Sequence, residues 1–211
     1  PERGGGVGST PLVAERGRLM QEAVPEGTGA MAAILGLEDQ AVIDVCAASA
    51  AEQVVEAVNF NSPGQVVIAG HKEAVARAVE AAKAAGARRA VELPVSVPSH
   101  CDLMRPAAKK LAEELKKIPV TAPAIPVLHN VSVSAESDPE MIRKRLVEQL
   151  YSPVRWVETI QAMKQEGIGH IVEAGPGKVL TGLMRRIDRD LDASALFDPR
   201  GIAQLTETLN G

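Results

Sequence analysis

"QVVIAGHKEAVARAVEAAKAAGARRAVELPVS", residues 65–96, decides the fold. Its first seven residues are an apolar strand pattern ending at His71. The Ala-rich stretch that follows alternates small apolar and charged residues at helical spacing, and Gly86 supplies the left-handed stop that a helix end favours. "ARRAVELPVS" then returns to strand pattern. Upstream, "AMAAILGL" (30–37) reads as a strand and "EDQAVIDVCAASA" as a helix. "VVEAVNFN" reads as a second strand, joined to "QVVIAGH" by the Ser62-Pro63-Gly64 turn. The order β-α-β-β-α-β predicts a ferredoxin-like split unit. RNA-recognition modules share that order but stack bases on sheet aromatics, and Phe60 is the one aromatic residue of this unit.

The flanks carry a different texture. "LVAERGRLMQEAV" (12–24) predicts a helix with Leu12, Val13, Leu19, Met20, Ala23 and Val24 on one stripe and Glu15, Arg18, Gln21 and Glu22 opposite. The Gly-rich "PERGGGVGSTP" before it has neither the Lys nor the preceding strand of a phosphate loop, and reads as a leader. After Pro98, helices are predicted in "RPAAKKLAEELKKI", "DPEMIRKRLVEQLY", "VETIQAMKQEG" and "KVLTGLMRRI", with strands in "APAIPVLHNVS" and "HIVEAG". This alternation predicts a parallel sheet layered with helices. The expected organisation is residues 1–25 as leader and one helix of a large subdomain, 26–94 as the ferredoxin-like subdomain, and 95–211 as the rest of the large α/β subdomain.

Among 211 residues, 45% are hydrophobic, 2% aromatic, and the formal net charge is −4, so nothing draws the chain generally to nucleic acid. No apolar run reaches the roughly 18 residues of a membrane span. Two cysteines, Cys46 and Cys101, are too few for a disulfide framework and lack metal-ligand spacing, so the expected setting is cytoplasmic, with no metal.

Two residues stand out chemically. His100 closes the apolar run "PVSVPSH" at a strand end, where α/β folds carry reactive groups, and a neutral imidazole suits a general base. Ser99 and Cys101 flank it but point to opposite faces of an extended chain, and no Gly-x-Ser-x-Gly elbow occurs in the 211 residues. Arg16 falls inside the apolar stripe of its helix, where a permanent charge demands a carboxylate or phosphate. An internal salt bridge and a fork for a substrate carboxylate both satisfy that demand. Gln149 precedes the Ser152-Pro153 break and is placed to orient loops; Asn59 and Asn61 line a cleft or satisfy the turn beside them. "GPGK" (175–178) offers backbone N–H groups to an anion, or simply starts a helix.

"RGRLMQEAVPEGTGAMAAILGL", "VNFNSPGQVVIAGH", "LPVSVPSHCDLM", "QLYSPVRW" and "EAGPGKVLTGL" together resemble the bacterial malonyl-CoA:acyl carrier protein transacylases, from about Leu12 to the C-terminus. The resemblance implies a fold in which an α/β-hydrolase-like acyltransferase subdomain is interrupted by a ferredoxin-like (βαββαβ) one. It implies malonyl transfer from malonyl-CoA to the phosphopantetheine thiol of acyl carrier protein in fatty acid biosynthesis, through an acyl-serine, without metal or redox cofactor. By that resemblance His100 is the base, Arg16 binds the malonyl carboxylate, and the backbone carbonyl of Gln149 orients the histidine. The family's Gly-His-Ser-Leu-Gly elbow and Gly-Gln-Gly motif have no match in these 211 residues, so the segment bearing them is an expected partner. The acidic carrier calls for a basic patch, with Arg88-Arg89, Lys109-Lys110, Lys116-Lys117 and Arg185-Arg186 as candidates. The alternatives are a catalytically dead fragment that binds coenzyme A or carrier protein, and a His-dependent thioester hydrolase.

Overall fold

The computed structural model describes residues 9–95 and 97–210. In chain order these form α1 (Ser9–Ala23), β1 (Gly29–Leu35), α2 (Asp39–Ala50), β2 (Val55–Ser62), β3 (Gln65–His71), α3 (Lys72–Ala84), β4 (Arg89–Glu92) and α4 (Arg105–Lys116). Then come β5 (Leu128–His129), β6 (Ser134–Ala135), α5 (Pro139–Glu148), α6 (Trp156–Gln165), β7 (His170–Ala174), α7 (Val179–Ile187), β8 (Asp192–Leu196) and α8 (Pro199–Asn210). The leader expected over the first residues lies outside the described residues except for its end in α1.

Strands β1 to β4 make one antiparallel sheet in the order β2-β3-β1-β4. Period-two alternation gives it two apolar faces. Ala32, Ile34, Val66 and Ile68 face α2 and α3, meeting Val42, Cys46, Val75 and Ala78. Met31, Val58, Val67 and Ala69 face the other way and hold the side chain of Cys101. The second face therefore seats the loop that carries His100. Strand spacing at Gly70 is tight: a Cβ there would lie 2.0 Å from the Val54 carbonyl oxygen.

A second core joins α1, α4 and the end of α5 through Leu19, Met20, Val24, Met104, Leu111, Leu115 and Leu150. Asp138 caps α5, accepting the Met141 N–H at 3.2 Å, with Pro139 in the first turn. A third core, Ile160, Met184, Leu191 and Ala193, ties α6 and α7 to β8. The segment after α5 is stitched to the edge of β2: Phe60 N–H donates to the Val154 carbonyl at 3.0 Å and Val154 N–H to the Val58 carbonyl at 2.8 Å.

Three expectations need correction. Among the described residues, parallel pairing is confined to the β7–β8 ladder and a single bridge between Asn59 and Val154. The strand expected in "APAIPVLHNVS" shrinks to Leu128–His129 and pairs antiparallel with Ser134–Ala135, because Pro123 and Pro126 donate no ladder hydrogen bonds. The strand expected through Ser96 stops at Glu92, and Pro94 is the reason. Elements β8 and α8 go beyond what periodicity identified.

Candidate active site

His100 is held by its backbone before its side chain does anything. Its φ is +68°, a left-handed conformation uncommon for a non-glycine residue. Its N–H donates to the Leu150 carbonyl at 2.9 Å. Next to it, Cys101 is fully buried and its thiol donates to the Pro98 carbonyl at 3.1 Å. One residue further, the Asp102 N–H donates to Glu56 Oε2 at 3.1 Å. Leu150, Pro98 and Glu56 thus fix the loop from three sides.

The His100 ring lies 2.7 Å, through Nδ1, from the Gln149 carbonyl oxygen. A carbonyl only accepts, so Nδ1 carries the proton and Nε2 is the basic nitrogen of the neutral ring. Burial pushes the imidazole below its ordinary range; the backbone carbonyl of Gln149 and that of Ser152 pull upward, and the Arg16 charge pushes downward. The balance favours a neutral ring at neutral pH, the state a general base needs.

Arg16 is half-buried on α1, and burial alone lowers its pKa. Among the described residues no carboxylate pairs with it, whereas Arg18 on the opposite face is ion-paired to Glu15 and Glu22. The internal salt bridge weighed for Arg16 is therefore absent among the described residues. Gln149 stands between the guanidinium and the imidazole. It lines, with Arg16, a cavity of about 280 Å³, and with His100 a smaller one of about 90 Å³ that also includes Asn130, Ser152 and Pro153. His100 also opens on a cleft of about 570 Å³ floored by Ile43, Val55, Ala57 and Phe60.

The structure thus gathers Arg16, Gln149 and His100. Asn59 and Asn61 sit on β2 either side of Phe60 and line none of these three cavities. Sequence reasoning did not single out Glu56 or Asn130; nothing in their spacing signals the contacts that bring them here.

The other reactive side chains are otherwise engaged. The Cys46 and Cys101 thiols are pushed up by burial to about 12. His71 accepts the Val54 N–H at 2.9 Å, and His170 bonds Asp192 at 2.7 Å and Ser194 Oγ at 3.0 Å. His129 is buried, 3.5 Å from the Gln149 amide. At the start of α7, Glu173 accepts the Thr181 N–H at 2.7 Å and its hydroxyl at 2.8 Å, so a carboxylate of the chain itself occupies the place read as an anion site. Among the described residues no cluster of three His, Cys, Asp or Glu could hold a metal, and no helix is long and apolar enough to cross a membrane.

Residues 7–195 match the family model described as the acyl transferase domain. The chain is 60% identical over 196 residues to the malonyl CoA-acyl carrier protein transacylase of Escherichia coli K12, an alignment covering 93% of this chain and 63% of the relative. It superposes with a TM-score of 0.91 on the crystal structure of an acyl carrier protein S-malonyltransferase from Vibrio cholerae, at 55% identity, covering 92% of this chain and 64% of that one. A TM-score of 0.93 and 55% identity relate it to a type II PKS acyl-carrier protein in complex with its malonyl-transacylase, over 94% of this chain and 64% of that one. The chain therefore spans a little under two thirds of the length of these relatives. With residues 7–195 matched to that domain, and His100, the Gln149 carbonyl and Arg16 gathered beside one another, the chain belongs to the acyl transferase domain family.

Proposed function

We propose that the chain carries the base and the carboxylate-binding half of a malonyl-CoA:acyl carrier protein transacylase of fatty acid biosynthesis. The observation that carries this reading is the 2.7 Å contact between His100 Nδ1 and the Gln149 carbonyl, beside an arginine without a carboxylate partner among the described residues. Nε2 of His100 takes the proton of a serine hydroxyl as its oxygen attacks the malonyl thioester carbonyl. The imidazolium returns that proton to the departing coenzyme A thiolate. In the second half, Nε2 deprotonates the phosphopantetheine thiol, which attacks the acyl-serine, and the proton goes back to the serine oxygen. No 211-residue position offers the serine in an elbow sequence, so the nucleophile comes from outside this stretch. Arg16 grips the malonyl carboxylate, rejecting acetyl because an unfilled, partly buried guanidinium is costly. Asn59 and Asn61, which line none of the three cavities, are given no part in this chemistry. No cofactor enters this chemistry.

The antiparallel β2-β3-β1-β4 order with two helices on one face supports the finer fold reading, a ferredoxin-like subdomain over 26–94 inserted into an α/β-hydrolase-like acyltransferase. An acidic carrier protein is assigned to the surface where Arg88, Arg89 and Arg186 surround the β2–β3 turn, a cleft of about 440 Å³. Lys110, Lys116 and Lys117 fit that role less well, being paired with Glu22, Glu113 and Glu114. A cytoplasmic setting follows from this assignment.

The test is a chimera in which the segment of the Escherichia coli relative that this chain does not cover is fused ahead of it, incubated with radiolabelled malonyl-CoA and holo carrier protein. Transfer of label is expected, falling about 10²–10⁴-fold in the His100→Ala chimera. A folded chimera without transfer would overturn the reading. Release of free malonate instead of transfer would favour the hydrolase, and tight coenzyme A binding without turnover the inert fragment.

A further inference from the structure

We propose that Glu56 is a positioning residue for acyl transfer: as a hydrogen-bond acceptor on β2 it holds the loop after His100, and so keeps the imidazole on the Gln149 carbonyl. This rests on the reading of His100 as the base and adds a residue of the four-stranded sheet that acts through it.

Period-two alternation along β2 puts Glu56 on the same sheet face as Val58, the face that surrounds the Cys101 side chain. An acidic residue is the odd member of that apolar face. It is half-buried, and the neighbouring Arg105 is taken by Asp102 at 2.7 Å. The partner of Glu56 is instead a backbone group, the Asp102 N–H, at 3.1 Å. Burial pushes the Glu56 carboxyl above its ordinary range, and that N–H acts against the push.

The contact falls where the loop needs it. His100, at φ +68°, holds a conformation that a side chain resists, and such a residue persists only where its surroundings fix it on both sides. On the near side the His100 N–H is bound to the Leu150 carbonyl at 2.9 Å. On the far side the peptide after Cys101 has Glu56 as its acceptor. Among the described residues, Glu56 is the one sheet residue hydrogen-bonded to 98–104. From Asp102 the chain of contacts runs on through Arg105 to the Tyr151 ring, 4.3 Å from its centroid and two residues past Gln149. The 2.7 Å contact of His100 with the Gln149 carbonyl closes that circuit. A loop released at Asp102 lets His100 relax toward negative φ, and the ring leaves the carbonyl with it. All of these contacts lie within the chain, and none depends on an exposed surface.

The experiment compares Glu56→Ala, Glu56→Met and Glu56→Gln by two readouts: imidazole 15N correlation spectra of the 211-residue chain, and malonyl transfer by the chimera described above. Methionine keeps the packing of the stem without an acceptor, so it replaces alanine if that variant does not fold. In Glu56→Met the His100 ring is expected to change from a single Nδ1-protonated tautomer to an average of the two. The same variant of the chimera is expected to lose about 10–100-fold in kcat, with KM for malonyl-CoA held within about twofold. Glu56→Gln, which keeps an acceptor oxygen, is expected to restore the tautomer and most of the rate. A folded Glu56→Met variant with unchanged ring signals and kcat would overturn the proposal, as would a Glu56→Gln variant as impaired as Glu56→Met. If the parent chimera transfers nothing while Glu56→Met still alters the ring, the acyl-transfer reading fails and the positioning of His100 by Glu56 stands. If the chimera transfers malonyl and Glu56→Met leaves it untouched, this inference alone fails.

Discussion

Leu150→Ala tests whether the site is held by packing. Leu150 is completely buried, in the core formed by α1 and α4 with the end of α5. Its own carbonyl accepts the His100 N–H at 2.9 Å, and the adjacent Gln149 carbonyl accepts from the His100 ring at 2.7 Å. The side chain is therefore the plug behind both acceptors. Truncation removes three carbons, about 2.4 kcal/mol at about 0.8 kcal/mol each, and the unfilled space adds to that. About 3–4 kcal/mol is expected, inside the roughly 2–5 kcal/mol range of buried leucine truncations. For a chain of this size that lowers Tm by about 6–16 °C. Urea denaturation at unchanged m gives the energy, and imidazole 15N shifts report whether His100 has moved. Leu150→Met, which conserves volume, is expected to cost under about 1.5 kcal/mol and leave those shifts in place. A Leu150→Ala cost below about 1 kcal/mol, or unaltered His100 shifts in that variant, would refute the reasoning.

Further expectations follow from single contacts. Gly70→Ala places a Cβ 2.0 Å from the Val54 carbonyl oxygen, between two strands, and is expected to cost about 3 kcal/mol or more in thermal unfolding. Gly182→Ala, on α7 with nothing within 4 Å of the new atom, is expected to stabilise by about 0.5–1 kcal/mol; the opposite ranking would contradict the packing described. Because burial lowers the His100 pKa, the unfolded chain binds that proton first as pH falls. Its contribution is nil above the ordinary imidazole value of 6.5 and reduces stability below it, levelling off once the folded pKa is passed. His100→Gln should lessen this slope in pH-dependent urea melts, and an unchanged slope would count against a buried neutral ring. Cys46 and Cys101, with thiols near 12, are expected to resist a thiol reagent at pH 8 until the chain unfolds; rapid labelling of the native chain would show either thiol to be accessible.

Legibility in the sequence followed the range of the interaction. The Ala-rich helix before Gly86, the Ser62-Pro63-Gly64 turn and the alternating strands are local patterns, and β1 to β4 with α2 and α3 match them to within a few residues at strand ends. His100 and Arg16 were visible as polar residues breaking apolar patterns. Their company was less visible. The Gln149 carbonyl reaches the ring across 49 residues, and Glu56 holds the loop across 46, distances at which spacing carries no signal. That Arg16 and His100 would line separate cavities with Gln149 between them depends on how α1 and α5 pack over α4. Such packing is decided by the fold as a whole. The short strand expected between prolines in "APAIPVLHNVS" is only the two residues of β5, and its partner β6 carries no apolar pattern that would mark it in the sequence.

Everything in the acyl-transfer account turns on which nitrogen of His100 is bare. Long-range 1H–15N correlation of the imidazole ring at neutral pH measures this directly. A neutral ring protonated at Nδ1, with Nε2 carrying the lone pair, is the result predicted; a ring protonated at Nε2, or fully charged at that pH, would contradict the account.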